Sequence, residues 1–320
     1  MPQLILSNSE RIAPAAVIAD DRKPVGTDVD FPDVLADLDV NAMPDDVIEY
    51  GRVRVGETEE SRTRLVAELE DMIYEKGDVT PHRMDEKFLL RFLRARHFKL
   101  NATYKLFVNY YRFRENHPDY YSINPLDLSF IADLEVLSVL PYREQTGRRI
   151  LIYKLGNWNT NDFDMNEILK ASLATLELGI LEPMAQILGG VVIFDMNGFT
   201  LQHAYQITPK VVSTIFDLIV YSIPMKTYAI HIINESWVFE TVFNLFKPLL
   251  GKRYNEMLFF HGKNMDSLHK HIDPKYLPKV YGGVRPNYPY QHWLINLQNN
   301  ATVVKEMESL GYCIVPKDLH

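Results

Sequence analysis

From Glu59 onward the apolar residues fall into two successive patterns. The first has the 3.6-residue period of helices. ESRTRLVAELEDMIYEKG sets Leu65, Leu69, Met72 and Ile73 on one face and stops at Gly77, which predicts a helix. MDEKFLLRFLRARHF carries a stripe of Phe88, Leu89, Phe92, Leu93 and Ala95, with Asp85 and Glu86 in the first turn, where the helix dipole favours carboxylates. A third helix, ATYKLFVNYYRFRENH, is expected to be capped by Asn101 and ends before Pro118. Three such helices predict a compact N-terminal bundle.

After Ile123 the pattern becomes alternating α and β. LSVLPY (137–142) and RRILIYKL (148–155) are strand-like and flank the turn formers of REQTGR. MNEILKASLATLELGILEPMAQIL (165–188) has helical spacing and little polar surface, so burial on more than one side is expected. GVVIFDM (190–196) and YAIHIIN (228–234) are β-branched apolar runs of the kind found in a buried, mostly parallel sheet. TPKVVSTIFDLIVYSI (208–223) reads as the crossover helix between them, with Pro209 in its first turn. SWVFETVFNLFKPLL (236–250) is a further helix, MLFF (257–260) a short strand and LPKVYGG (277–283) a terminating turn. The fold class is α/β: a helical bundle followed by a mixed, mostly parallel sheet.

Charge divides the chain unevenly. Residues 1–60 carry 5 Lys+Arg against 14 Asp+Glu, a net of −9, whereas residues 61–320 carry 29 against 28, a net of +1. Residues 20–50 scatter their few apolar side chains without a period and include three prolines. A disordered acidic arm is expected over 1–58, with a solvated arm packed on the body as the alternative. Helical residues 59–122, an α/β unit over 123–290 and a helical extension over 291–320 complete the division. The lone cysteine, Cys313, excludes an internal disulfide and a Cys-based zinc cluster, and it points to a reducing, cytoplasmic setting. MPQLILSNSERIAP lacks a basic leader region, so no secretory signal is expected. No apolar run is long enough to span a bilayer.

Enzymatic signatures are absent: no P-loop, GxGxxG, GxSxG or HExxH pattern occurs. His269 and His271, two apart, do not share a helix face, which argues against a metal site. Asp195, at a strand C-terminus, suits either a polar ligand contact or a structural hydrogen bond. Two features remain. The 236–250 helix has too few polar residues for one solvated face, so it is either core or the cover of a cavity that meets a membrane. Residues 83–114 hold nine Lys+Arg (Arg83, Lys87, Arg91, Arg94, Arg96, Lys99, Lys105, Arg112, Arg114) against Asp85 and Glu86. Such a cluster suits the phosphates of an anionic lipid surface. The alternative is intramolecular pairing with the acidic arm. Nucleic acid is disfavoured, since no binding motif accompanies the cluster.

Seven ordered motifs over about residues 60–290 resemble the CRAL-TRIO lipid-transfer family. They are DEKFLLRFLRARHFKLNATYKLFVNYYRFR, GRRILIYKLGNWN, GGVVIFDMNGFTLQHAYQITP, IHIINESWVF, FKPLL, HG at 261–262 and LPKVYGG. The likeness is greatest to the family's tocopherol- and retinaldehyde-binding branch. It implies an apolar cavity between the sheet and its helices, closed by a mobile lid that matches 236–250. Polar ligand contacts carry over to Ser172 and Asp195, and a second serine of the tocopherol-binding pattern is Leu176 here. Apolar walls carry over to Leu201, Ile215, Leu218, Ile219 and Ile223, and the lid would add Phe239 and Phe243. The family's phosphoinositide cleft matches Arg96, Lys226 and Arg253. Tyr228 and Met257 stand where the tocopherol-binding pattern has basic residues.

The implied function is that of a monomeric, non-catalytic carrier needing no cofactor or metal. It would bind one small hydrophobic lipid (isoprenoid, retinoid, carotenoid or tocopherol-like) and release it at anionic membranes with phosphoinositide assistance. The alternative is a phosphoinositide-sensing or scaffold module without a dedicated cargo.

Overall fold

The computed structural model describes residues 38, 40, 41 and 43–314, without the side chains of 252–254. Helices come first: α1 (Asp45–Tyr50), a π-helical turn (Gly51–Val55), α2 (Glu59–Lys76), α3 (Glu86–Ala95), α4 (Leu100–Asn116) and the short α5 (Ser129–Ala132). Thr58 and Ser61 form a reciprocal capping box at α2, which ends at Gly77 with φ of 61°. Asp85 caps α3 by accepting from the Phe88 amide. Asn101 does not cap α4: the helix starts at Leu100 after Lys99, with no side-chain cap.

The acidic arm needs correction at its C-terminal end. Residues 45–55 are helical, and Val47 and Val55 are buried with Leu38 and Val40. Their apolar content is small but sufficient, because α1 lies against α7 (Pro183–Leu188) rather than folding alone. Residues 1–37, 39 and 42 of the expected arm lie outside the described residues.

The body is a five-stranded sheet in the order β1-β2-β3-β4-β5. β1 (Leu137–Arg143) and β2 (Arg149–Lys154) are antiparallel; β3 (Gly190–Asp195), β4 (Thr227–Ile233) and β5 (Leu258–Phe260) continue parallel to β2. The crossovers are α6 (Met165–Ile180) with α7, then α8 (Leu201–Gln206) and α9 (Pro209–Ile215), then α10 (Trp237–Phe246) and α11 (Lys252–Met257). The expected 165–188 helix is broken before Pro183, whose ring cannot continue α6. The expected 208–223 helix changes at Phe216 into a π-helix running to Ser222.

Strand alternation sorts the sheet's two faces. Val139, Leu151, Val192, Ile230 and Leu258 lie in register as one row across the sheet. Leu137, Tyr153, Phe194, Ile232 and Phe260 form a second row on the same face. This face packs under α6 and the π-helix in the larger core. Ile150, Ile152, Val191, Ile193 and Ile233 face the other way. They are covered by Leu268 of α12 (Met265–His269) and by Leu277 and Tyr281 in the turns beyond it. The last helices, α13 (Tyr290–Gln298) and α14 (Ala301–Ser309), bury Trp293, Leu294, Leu297, Val303 and Met307, with α13 against β1.

Candidate functional site

A cavity of about 60 Å³ opens between the first row of the sheet and the helices above it. Its floor is Val139, Leu151 and Val192; Leu176 of α6, Ile219 and Ile223 of the π-helix region, and Met225 enclose it. Gly189 narrows one side. Its φ is 77°, and a Cβ there would come within 2.6 Å of the Lys226 carbonyl oxygen, so only glycine fits without movement. The space is well below the roughly 300–1,000 Å³ of formed ligand pockets. A ligand of ordinary size therefore enters only if a wall moves.

The π-helix is one such wall. Wide turns of this kind break the regular i→i−4 ladder and recur at functional sites. It is tied to α4: Asn109 Nδ2 donates to the Tyr221 carbonyl at 3.3 Å and Ser222 Oγ to the Asn109 carbonyl at 3.3 Å.

Of the expected pocket residues, Leu176, Ile219 and Ile223 line the cavity. Ser172 sits one turn from Leu176 on the same face of α6. Its hydroxyl accepts from Tyr153 Oη at 2.8 Å and donates to the Ile168 carbonyl at 2.7 Å. Burial pushes the Tyr153 phenol up to about 12, so it stays a neutral donor. Ile215, Leu218 and Phe239 pack in the surrounding core. Leu201 does not line the cavity but is 46% exposed at the start of α8.

Asp195 departs furthest from expectation. It follows Ile193 in the alternation and pairs in register with Ile233, which puts it on the face opposite the cavity. Its carboxylate accepts from the Asn197 amide at 3.0 Å and from Asn234 Nδ2 at 2.8 Å, joining the ends of β3 and β4. Burial first, then this carboxylate, holds the Tyr281 phenol well above its usual range. Of the two roles open to Asp195 in the sequence, the structural hydrogen bond is the one its geometry serves.

The cavity also has polar residues that the motifs did not indicate. Arg149 donates to the buried Glu182 at 2.8 and 2.6 Å, and Thr175 shares a 3.0 Å hydrogen bond with Tyr290. Trp293 of α13 lines the cavity from beyond the matched motifs. Lys226, expected at a phosphate cleft, lines it too, and its Nζ donates to the Ile187 carbonyl at 3.4 Å.

Helix α10, the expected lid, has two unlike faces. Val238 and Val242 are buried, Phe239 and Phe246 are half-buried against the core, and Phe243 meets Phe260 edge-on at 5.2 Å. Trp237 and Leu245 lie on the outside of α10 at 65% and 52% exposure, and Leu249, in the 3-10 turn that follows (Lys247–Leu249), is 51% exposed. Beside the lid, Phe260 at the sheet edge is also exposed.

The basic cluster is mostly consumed internally. Glu306 of α14 accepts from Arg83 at 2.8 Å, Lys87 at 2.9 Å and Arg91 at 3.2 Å. Arg94 forks onto Glu57 at 2.8 and 2.5 Å and reaches Gln186 at 2.6 Å. Intramolecular pairing thus accounts for most of the cluster, partly through Glu57 in the expected arm; Lys99, Lys105 and Arg112 are its exposed members. Of the expected phosphate cleft, Arg96 ends α3 half-buried, Lys226 precedes β4, and the Arg253 side chain lies outside the described residues. Tyr228 lies under the buried Arg148 guanidinium, 3.5 Å from the ring centroid, and Met257 is buried. Both replacements serve packing.

Among the described residues no helix is long and apolar enough to cross a membrane, and no His, Cys, Asp and Glu group could hold a metal.

Residues 135–283 match the CRAL/TRIO domain and residues 57–109 the CRAL/TRIO N-terminal domain. Clavesin-1 of Rattus norvegicus is 31% identical over 251 residues, covering 78% of this chain and 71% of that protein. Clavesin-2 of Homo sapiens is 30% identical over 251 residues, covering 78% and 77%. The crystal structure of Sfh5 superposes with a TM-score of 0.47 at 12% identity, covering 77% of this chain and 99% of that one.

Proposed function

Because the chain belongs to the CRAL-TRIO family, whose domains bind hydrophobic lipids, we propose that it carries one small, largely apolar lipid and releases it at membranes. An isoprenoid, retinoid, carotenoid or tocopherol-like molecule suits the chemistry. The observation that carries the reading is the apolar floor of Val139, Leu151 and Val192, roofed by Leu176, Ile219 and Ile223, together with a helix, α10, that exposes Trp237 and Leu245 among polar neighbours. Such walls hold a lipid through burial, at about 25 cal/mol per Å² of apolar surface removed from water. They supply little discrimination between similar hydrocarbons.

Release follows from the lid. Trp237, Leu245 and Leu249 can enter the membrane interface while the inner face of α10 still covers the core. Swinging α10 outward then frees the π-helix wall of the cavity, because Phe246 of α10 stacks on Phe216. Anionic headgroups assist through Arg96, Lys226 and Arg253. Lys226 lines the cavity, so a phosphate drawn to it acts beside the cargo.

The test is organic extraction of the protein purified from its native source, followed by mass spectrometry. One dominant lipid at about one molecule per chain is expected. An empty protein that still binds vesicles in a headgroup-dependent way would replace the carrier reading with a phosphoinositide-sensing one.

A further inference from the structure

A buried donor with nothing to bond sits in the wall of the proposed cargo site. Among the polar side chains that line the cavity, Arg149 is held by Glu182, Thr175 by Tyr290, and Lys226 reaches the Ile187 carbonyl. Trp293 is 1% exposed, it borders the cavity, and its indole Nε1–H is buried without a hydrogen-bond partner. Trp158, also buried, bonds its own Nε1–H to the Phe163 carbonyl at 2.9 Å. Buried indole donors are normally satisfied, and an unmet one weakens the fold unless something else supplies the acceptor.

Trp293 is also held firmly. Tyr290, one turn earlier on α13, stacks on it with ring centroids 5.6 Å apart and is itself anchored to Thr175. The Arg149 guanidinium lies 5.9 Å from the indole centroid, and Glu182 fixes that guanidinium. The indole is therefore preset rather than free to turn towards another partner.

We infer that Trp293 is a specificity-determining residue whose indole N–H receives a hydrogen-bond-accepting oxygen of the cargo. This rests on the carrier reading and deepens it. The cargo class is an apolar lipid bearing a carbonyl, ester or ether oxygen, not a pure hydrocarbon. The polar end of the cargo lies near α13 and β1, away from Asp195. The C-terminal helices thus take part in selection rather than only covering the sheet.

The test uses the full chain and two probes of equal chain length, methyl laurate and tetradecane, with affinities measured by displacement of a fluorescent apolar dye. Trp293→Phe keeps an aromatic side chain but removes the donor together with the second ring. It should lower the ester-to-alkane affinity ratio about tenfold, a ratio from which the change in cavity volume common to both probes cancels. In the wild-type protein, the Trp293 indole N–H resonance should move downfield with methyl laurate and not with tetradecane; this readout needs no variant to fold. An unchanged ratio in Trp293→Phe, or an indole resonance indifferent to the ester, overturns the inference and leaves the carrier reading standing. Failure of the wild-type protein to bind either probe overturns both.

Discussion

His231 is buried on the sheet face away from the cavity, with its Nδ1 3.0 Å from His261 Nε2 and its ring 5.2 Å from that of His271. Burial first, then these two neighbours, pushes His231 down to about 3; burial also lowers His261 and, with Lys270 nearby, His271. The unfolded chain takes up these protons near pH 6.5, before the folded one does. The stability they contribute is complete above that pH and is lost as pH falls towards 3. His231 alone should cost about 2 kcal/mol at pH 5 relative to pH 7. Urea unfolding at the two pH values checks this, and His231→Phe should flatten the dependence; equal slopes in the two proteins would refute it. At the cavity, Ile219→Trp should displace cargo and lower lipid stoichiometry at a cost of about 1–3 kcal/mol from overpacking. Ile219 is the better choice because Leu218, next to it, is buried in the core and not at the cavity wall. Unchanged stoichiometry in a folded variant would remove the cavity from the mechanism.

At the scale of elements, α10 and the π-helix do what their sequences could only half announce. The apolar excess of 236–250 left core and lid open. The structure satisfies both, burying Val238 and Val242 while leaving Trp237, Leu245 and Leu249 outside. Leu245→Ser should slow lipid transfer to neutral and anionic vesicles alike, by roughly fivefold for the loss of about 1 kcal/mol of interfacial burial. Its melting temperature should hardly change, since the side chain is already half in water. Transfer at the wild-type rate to neutral vesicles would remove the outer face of α10 from the release step. The π-helix at 216–222 was not legible. Its residues keep a helical apolar spacing, and the wider turn follows from packing against α4.

For the whole molecule, Glu57 before α2 helps to bind the bundle to the helices over the sheet. Glu57 answers Arg94 on α3, and Arg94 also holds Gln186 on α7, which borders the cavity through Ala185 and Gly189. Glu57→Ala leaves Arg94 largely buried without its carboxylate, and about 3 kcal/mol should be lost. Deleting residues 1–58 removes Val47 and Val55 as well, so it should lower the melting temperature well beyond that single change. Calorimetry of both variants checks the order. A truncated chain as stable as the full one would show that α1 and its π-turn contribute nothing to the body.

The sequence by itself determined the three helices from Glu59, the five strands, the mixed sheet and the family, because periodicity and seven ordered motifs are local signals. Leu176, Ile219 and Ile223 were legible at the cavity through the family resemblance alone. Only the tertiary structure decided which parity of each strand faces it. Strands buried on both sides carry no polar alternation, so Leu151 and Ile152, or Phe194 and Asp195, cannot be told apart by pattern. For a similar reason Trp293 and Lys226 join the cavity from distant stretches of chain, and Glu57 and Glu306 claim the basic cluster across the fold. Charge counted along a sequence does not say which charges meet.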